Sequence, residues 1–140
     1  MPTDMPAEAL FDIRVYYEDT DAGGVVYYAN YLKFLERART EWLRELGVFQ
    51  SELRAATQRI FVVNALDMAY RKPARLDDRL TIHSRITRLG RASIHFAQAA
   101  RRDGELLAEG TIQVCCVDAA SLRPAEIPPE VLSILKSIQE

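Results

Sequence analysis

One long helix in a chain that otherwise reads as strand is the strongest constraint this sequence carries. Tyr31, Phe34, Leu35, Ala38, Trp42, Leu43 and Leu46 form an apolar stripe at helical spacing, and Lys33, Glu36, Arg37, Arg39, Glu41, Arg44 and Glu45 fill the other faces. Asn30 is the candidate N-cap and Gly47 the candidate residue just past the end. Roughly 17 residues at ~1.5 Å each give a helix about 25 Å long, enough to cross the face of a whole sheet.

The flanking segments have a different period. Phe11, Ile13, Val15 and Tyr17 alternate with Asp12, Arg14, Tyr16 and Glu18, which predicts a strand after a frayed tail, Met1 to Ala9. Ile60 to Tyr70 is rich in β-branched and aromatic residues and ends near Pro73, which a central strand would not tolerate. Leu80 to Thr87 and Ser93 to Arg101 alternate again, Asp103-Gly104 signals a hairpin turn, and Leu106 to Val117 is the last strand. Val131, Leu132, Leu135 and Ile138 predict a short terminal helix. The expected order is strand, long helix and four strands joined by short turns, an antiparallel meander in an α+β fold. One helix covers one face of such a sheet, so an edge strand and a bare face remain for a second copy.

Residues 1–140 are expected to form one domain, since a chain of this length buries enough surface to fold without disulfides or metal. Eighteen Lys+Arg against 20 Asp+Glu leave a net charge of −2, which argues against bulk nucleic-acid binding. No apolar run approaches the ~18 residues of a membrane span, and the acidic, proline-broken start does not read as a secretory signal. Cys115 and Cys116 are neighbours in a strand, so their side chains point to opposite faces and read as buried thiols. The expected compartment is the cytoplasm, with a peripheral contact at the inner membrane left open.

Chemistry concentrates at the junction between the first strand and the long helix. Tyr17-Glu18-Asp19-Thr20-Asp21-Ala22-Gly23-Gly24-Val25-Val26-Tyr27-Tyr28-Ala29-Asn30-Tyr31 places two carboxylates, a glycine pair and a helix N-terminus in one segment. An anion there can act on a carbonyl polarised by free backbone N–H groups. This run, continued by Phe34, Glu36, Ala38 and Arg39, closely resembles the signature of hotdog-fold acyl-CoA thioesterases of the 4-hydroxybenzoyl-CoA thioesterase family. Within that family it is most similar to the branch associated with the Tol–Pal envelope system. Lys72-Pro73-Ala74-Arg75-Leu76-Asp77-Asp78 and Cys115-Cys116-Val117-Asp118 resemble its later blocks, and the similarity spans about residues 11 to 130.

The resemblance implies a long helix wrapped by an antiparallel sheet, a homodimer or homotetramer with active sites at the dimer interface, and thioester hydrolysis without metal. It implies no cofactor beyond the coenzyme A that is part of the substrate. It assigns the catalytic carboxylate to Asp21 and the oxyanion donor to the backbone N–H of Tyr28. The Tol–Pal branch more often carries His at that second position, so Tyr28 departs from its pattern. Asp21 could attack the carbonyl or activate a water. Asp19 is expected in a turn or hydrogen-bonding role, and Glu36 is a secondary carboxylate. Gly24 is carried over as a substrate contact. The turn Thr87 to Ser93 aligns with the family's phosphate-contacting segment, which makes Arg91 and Ser93, then Arg88, the candidates for coenzyme A. Arg71, Lys72 and Arg75 form another basic cluster, and His83 and His95 read as sheet-surface residues. Acyl length, aliphatic or aromatic preference, and coenzyme A against acyl carrier protein stay open, as does a non-catalytic acyl-binding scaffold.

Overall fold

The computed structural model describes residues 7–139. Strand β1 (Glu8–Arg14) is followed by a 3-10 turn (Tyr17–Asp19), helix α1 (Asn30–Glu45), helix α2 (Gln50–Thr57), strands β2 (Arg59–Tyr70), β3 (Arg79–Leu89), β4 (Ser93–Arg102) and β5 (Glu105–Asp118), and helix α3 (Pro129–Ile138). All five strands pair antiparallel in one sheet of order β1-β3-β4-β5-β2.

The expected helix stripe is the face that packs. Tyr31, Phe34, Leu35, Ala38, Trp42, Leu43 and Leu46 are all buried, against sheet residues that include Leu80, Ile82, Ile86, Ile94, Phe96 and Ile112. Burying a side chain such as Phe34, which is fully enclosed, contributes about 1.5–3 kcal/mol. Gly47 adopts φ +88°, as a glycine ending a helix should. Asp103 (φ 51°) and Gly104 (φ 83°) both enter the left-handed region, which gives the β4–β5 hairpin its tight turn.

Four expectations are corrected. The first strand starts at Glu8 and stops at Arg14, so Glu8 and Ala9 leave the predicted tail, whose residues Met1–Pro6 lie outside the described residues. Val15 continues the apolar alternation, but it is buried and its backbone bonds the loop at Asp77 and Asp78. The four later strands are not a simple meander, because β2 pairs with β5 at the sheet edge instead of with β3. Residues 71–78 are too long for a tight turn, and they carry the chain past β5 and β4 to β3. Helix α2 lies where the sequence reading assigns no element, and its eight residues bury none of their side chains, which leaves the periodic signal short. Asn30 does not cap α1. Ala29 occupies the cap position in helical conformation, with no side-chain cap.

The 71–78 segment is tied to the helix from inside. The Ala74 N–H donates to the Tyr31 hydroxyl (3.2 Å), and Ala74 is fully buried. Burial also holds the Tyr31 phenol above its ordinary pKa. Tyr31→Phe is therefore expected to leave a buried N–H without an acceptor and to cost about 1–3 kcal/mol, read by urea denaturation.

Candidate active site

The segment between β1 and α1 is a braced loop. Val15 donates to the Asp78 carbonyl (2.9 Å) and accepts from the Asp77 N–H (3.0 Å). Thr20 and Val26 form a bridge across the loop, Val25 bridges to Arg75, and the Val26 N–H donates to the Ala74 carbonyl (2.8 Å). Asp21 to Gly24 close a turn through the Gly24 N–H and the Asp21 carbonyl (3.0 Å), with Gly24 at φ +78°. A side chain there would be strained, so the backbone demand accounts for Gly24.

Asp21 is exposed at the tip. Its Oδ1 accepts from the Gly23 N–H (2.8 Å), and Oδ2 has no partner among the described residues. One oxygen thus orients the carboxylate and leaves the other open to a reacting atom. A Cβ at Gly23 would lie 3.3 Å from Oδ1, which is why a glycine suits that position. The Tyr27 N–H donates to the Asp19 carbonyl (3.0 Å), whereas the N–H of Tyr28 has no acceptor among the described residues. The loop therefore presents a carboxylate oxygen and an unsatisfied donor just before the first turn of α1.

Phenol rings form one wall. Tyr28 packs against Tyr27 (4.9 Å between centroids) and edge-on to Tyr70 (6.1 Å), and Tyr70 packs on Tyr31 (5.5 Å). The hydrogen bond with Tyr28 pushes the Tyr27 phenol up, and burial does the same to Tyr70. Both phenols accordingly stay neutral at neutral pH.

Asp19 serves the hydrogen-bonding role expected of it, and Asn30, not a helix cap, is its partner: Asn30 Nδ2 donates to Asp19 Oδ1 at 2.6 Å. Glu36 is exposed on α1 and accepts from Thr40 Oγ1 at 2.5 Å. His83 and His95 lie half-buried in β3 and β4, with His83 near Glu8 (3.4 Å). Cys115 and Cys116 are buried free thiols, and burial pushes the Cys116 thiol up.

The phosphate candidates lie elsewhere in the protomer. Arg88 lies one residue before the end of β3, Arg91 stands exposed in the following turn and pairs with Glu126, and Ser93 opens β4 with its hydroxyl against Gly90. The Asp21 loop rests at the other end of β3, roughly 30–35 Å away along an 11-residue strand. Of the second basic cluster, Arg71 and Lys72 pair with Glu109 and Glu105, while Arg75 stands next to the Asp21 loop through its bridge to Val25. The sequence shows Arg75 only as one of a basic cluster, because nothing local links residue 75 to residue 25.

Two concavities differ in character. One of about 230 Å³ lies between α1 and β2, lined by Leu43, Phe61, Val63, Ile94 and Phe96 with Glu36, Arg39, Thr40 and Gln50 at its polar side. The larger, about 800 Å³, is an open depression on the outer face of the sheet among Arg71, His83, Arg85, Arg101 and Glu109. The smaller one adjoins the helix that follows the Asp21 loop, and it is the more apolar of the two.

Residues 15–135 match the model of the thioesterase-like superfamily. The chain belongs to that superfamily. It is 46% identical over 121 residues to the acyl-CoA thioesterase YbgC of Haemophilus influenzae, covering 86% of this chain and 89% of that one. It is 44% identical over 126 residues to the acyl-CoA thioester hydrolase YbgC of Escherichia coli, covering 89% and 92%. Among solved structures, a gentisyl-coenzyme A thioesterase superposes with a TM-score of 0.81 at 27% identity, covering 90% of this chain and 98% of that one. A 1,4-dihydroxy-2-naphthoyl-CoA thioesterase from Synechocystis superposes at 0.85 with 20% identity, covering 92% and 96%, and shares the fold. The helix wrapped by an antiparallel sheet is thus the hotdog fold that the sequence resemblance implied.

The platform under the loop titrates. Arg102 donates to Asp78 (2.7 Å) and Glu105 (3.0 Å), and Lys72 donates to Glu105 (2.6 Å). Hydrogen bonds from Lys72 and Arg102 hold the Glu105 carboxyl below the usual glutamate range. A depressed folded-state value means that the contribution is present above the ordinary glutamate pKa and lost as pH falls through the folded one. Glu105→Gln is expected to flatten this acid limb of the melting temperature against pH, relative to wild type.

Proposed function

We propose that this chain hydrolyses acyl-CoA thioesters with Asp21 as the nucleophile or general base and the Tyr28 N–H as the oxyanion donor, at a site completed by a second copy. The observation that carries it is the presence on one braced loop of an Asp21 oxygen and a Tyr28 N–H that have no partner among the described residues, in a chain 44–46% identical to acyl-CoA thioesterases. Either Asp21 Oδ2 attacks the thioester carbon, or it takes a proton from a water that attacks. In both routes the carbonyl oxygen gains negative charge, which the N–H stabilises, the C–S bond breaks, and the sulfur leaves as the coenzyme A thiol. Water supplies the oxygen of the free acid and the proton of the thiol. No metal or cofactor takes part in this reading.

The second copy enters through β2. This edge strand is 12 residues long and exposes Val63, Leu66 and Tyr70, whereas the other edge, β1, is short and carries Glu8, Asp12 and Arg14. An open apolar edge invites pairing. Two β2 strands meeting on a two-fold axis run antiparallel, so the Tyr70 end of one lies beside the Arg59 end of its partner. The β3–β4 turn sits at that Arg59 end, since Ala92 bonds Cys116 and Cys116 pairs with Phe61. Arg88, Arg91 and Ser93 of one copy are thereby turned toward Asp21 of the other, where the arginines can meet the phosphates of coenzyme A.

The α1–β2 cavity favours a short aliphatic acyl group, which its Leu43, Phe61 and Ile94 walls suit. The Tyr27-Tyr28-Tyr70 wall favours the second reading, an aromatic acyl group stacked beside Asp21. Association of dimers into a tetramer, use of acyl carrier protein thioesters, and a cytoplasmic place near the Tol–Pal system follow from the family resemblance and belong to the same proposal. Among the described residues no helix is long and apolar enough to cross a membrane.

Thiol release from a panel of aliphatic and aromatic acyl-CoAs tests the proposal. Asp21→Asn keeps the shape, removes the charge, and is expected to lose about 10²-fold or more in kcat. Equal rates for the two proteins would sink Asp21 as the catalytic group, and the preferred acyl-CoA separates the two substrate readings. Arg91→Ala is expected to raise KM for acyl-CoA about tenfold with kcat held, the pattern of lost uniform binding. An unchanged KM would remove Arg91 from the coenzyme A site.

A further inference from the structure

Asp19 is a buried carboxylate, 5% exposed, whose partners are neutral donors and not cations. Its Oδ2 accepts from the Tyr16 N–H (2.8 Å), and its Oδ1 accepts from Asn30 Nδ2 (2.6 Å). Its backbone carbonyl accepts from the Tyr27 N–H (3.0 Å). Tyr16 enters the loop that carries Asp21, Tyr27 leaves it, and Asn30 is the first residue of α1. One residue thus joins entry, exit and helix. Asn30 is itself buried, and its amide nitrogen faces Asp19 because an ionised carboxylate oxygen only accepts.

Closing a turn does not require this arrangement. A serine or asparagine accepts backbone N–H groups without the cost of desolvating a charge. A carboxylate adds short charge-assisted bonds from both oxygens in one plane, and therefore stiffness. The stiffness falls where a donor must be aimed. Asp19 consumes the N–H of Tyr27, and the next N–H, that of Tyr28, is the one left without an acceptor among the described residues.

We infer that Asp19 and Asn30 form a positioning pair that aims the Tyr28 N–H and sets its distance from Asp21. This rests on the reading of Asp21 and Tyr28 as the reacting groups. The pair touches neither substrate nor reacting atom, and it acts through the backbone of Tyr27 and Tyr28 and through the first turn of α1. A misplacement of about 1 Å in such a constellation costs on the order of 10²-fold in rate. The effect belongs in kcat, because the coenzyme A contacts assigned above lie on other residues.

The test reverses the pair. Asn30→Asp sets a carboxylate against Asp19, and adding Asp19→Asn restores one donor and one acceptor in exchanged order. The full-length chain is assayed by thiol release on its best acyl-CoA, with circular dichroism and melting temperature as checks of folding and Asp21→Asn run in parallel. Asn30→Asp is expected to lower kcat about tenfold or more with KM within about threefold, and the double variant to recover to within about threefold of wild type. Asn30→Ala, which only removes the donor, is expected to show the same loss in kcat and supplies the reading if Asn30→Asp fails to fold. A folded Asn30→Asp or Asn30→Ala protein with wild-type kcat overturns the inference. So does a folded double variant no faster than Asn30→Asp, because a merely structural pair would recover melting temperature without recovering kcat. If Asp21→Asn is as fast as wild type, the catalytic reading itself falls. If Asp21→Asn is dead and Asn30→Asp is not impaired, only the positioning pair falls.

Discussion

The sheet wraps one helix, and every other feature of the chain is placed by that contact. Phe34, Leu35, Ala38 and Trp42 are sealed under β3 and β4, and the ring of Trp42 meets Phe96 edge-on. A helix gripped along its apolar stripe keeps its polar face, Lys33, Glu36 and Arg37 among it, outside, and its N-terminal end open. The N-terminal end of α1 is where the chain returns from β1, so the Asp21 loop is delivered to the lip of the sheet. There the 71–78 crossover supplies the floor through Ala74, Arg75, Asp77 and Asp78. Both ends of the loop are fixed by larger elements, and hydrogen bonds within it brace the span between them.

The same interface encloses a charge. Arg39 is buried in the helix stripe, donates to Gln98 Oε1 (2.9 Å) and lies over the Phe96 ring. Gln98 passes the bonding on to the Leu35 carbonyl (3.0 Å) and Ser84 Oγ (2.9 Å). Burial lowers the Arg39 pKa, and the nearby Glu36 carboxylate opposes that shift. A network of this kind fixes register more than it adds stability, since leaving any member unpaired costs more than the bond contributes. It ties the middle of α1 to two strands, β3 and β4, and so fixes the height at which the helix N-terminus meets the loop.

Much of this was legible in the sequence. The apolar stripe named the buried apolar residues of the helix, though not the buried Arg39, and the Asp21 to Tyr28 run marked the loop, because both are local patterns. What escaped had no local pattern. The partnership of β2 with β5 depends on a crossover whose length reads as a loop and whose path does not. Asn30 carries cap chemistry at a cap position, yet its amide turns back eleven residues to Asp19. Helix α2 fully buries no residue and sets only Leu53 against the core, so two turns of chain display too little of a stripe to be read.

The sequence by itself determined the α+β class, the long amphipathic helix, and the glycine-rich acidic junction, since each arises from spacing along the chain. Tertiary structure decided the rest. It put Arg75 beside the Asp21 loop, left the Tyr28 N–H without an acceptor among the described residues, and set Arg88, Arg91 and Ser93 a full strand length from Asp21 within one protomer. Those outcomes depend on which strands pair and on where a buried crossover runs, and distances through space between residues far apart in sequence are not written in the spacing of either segment.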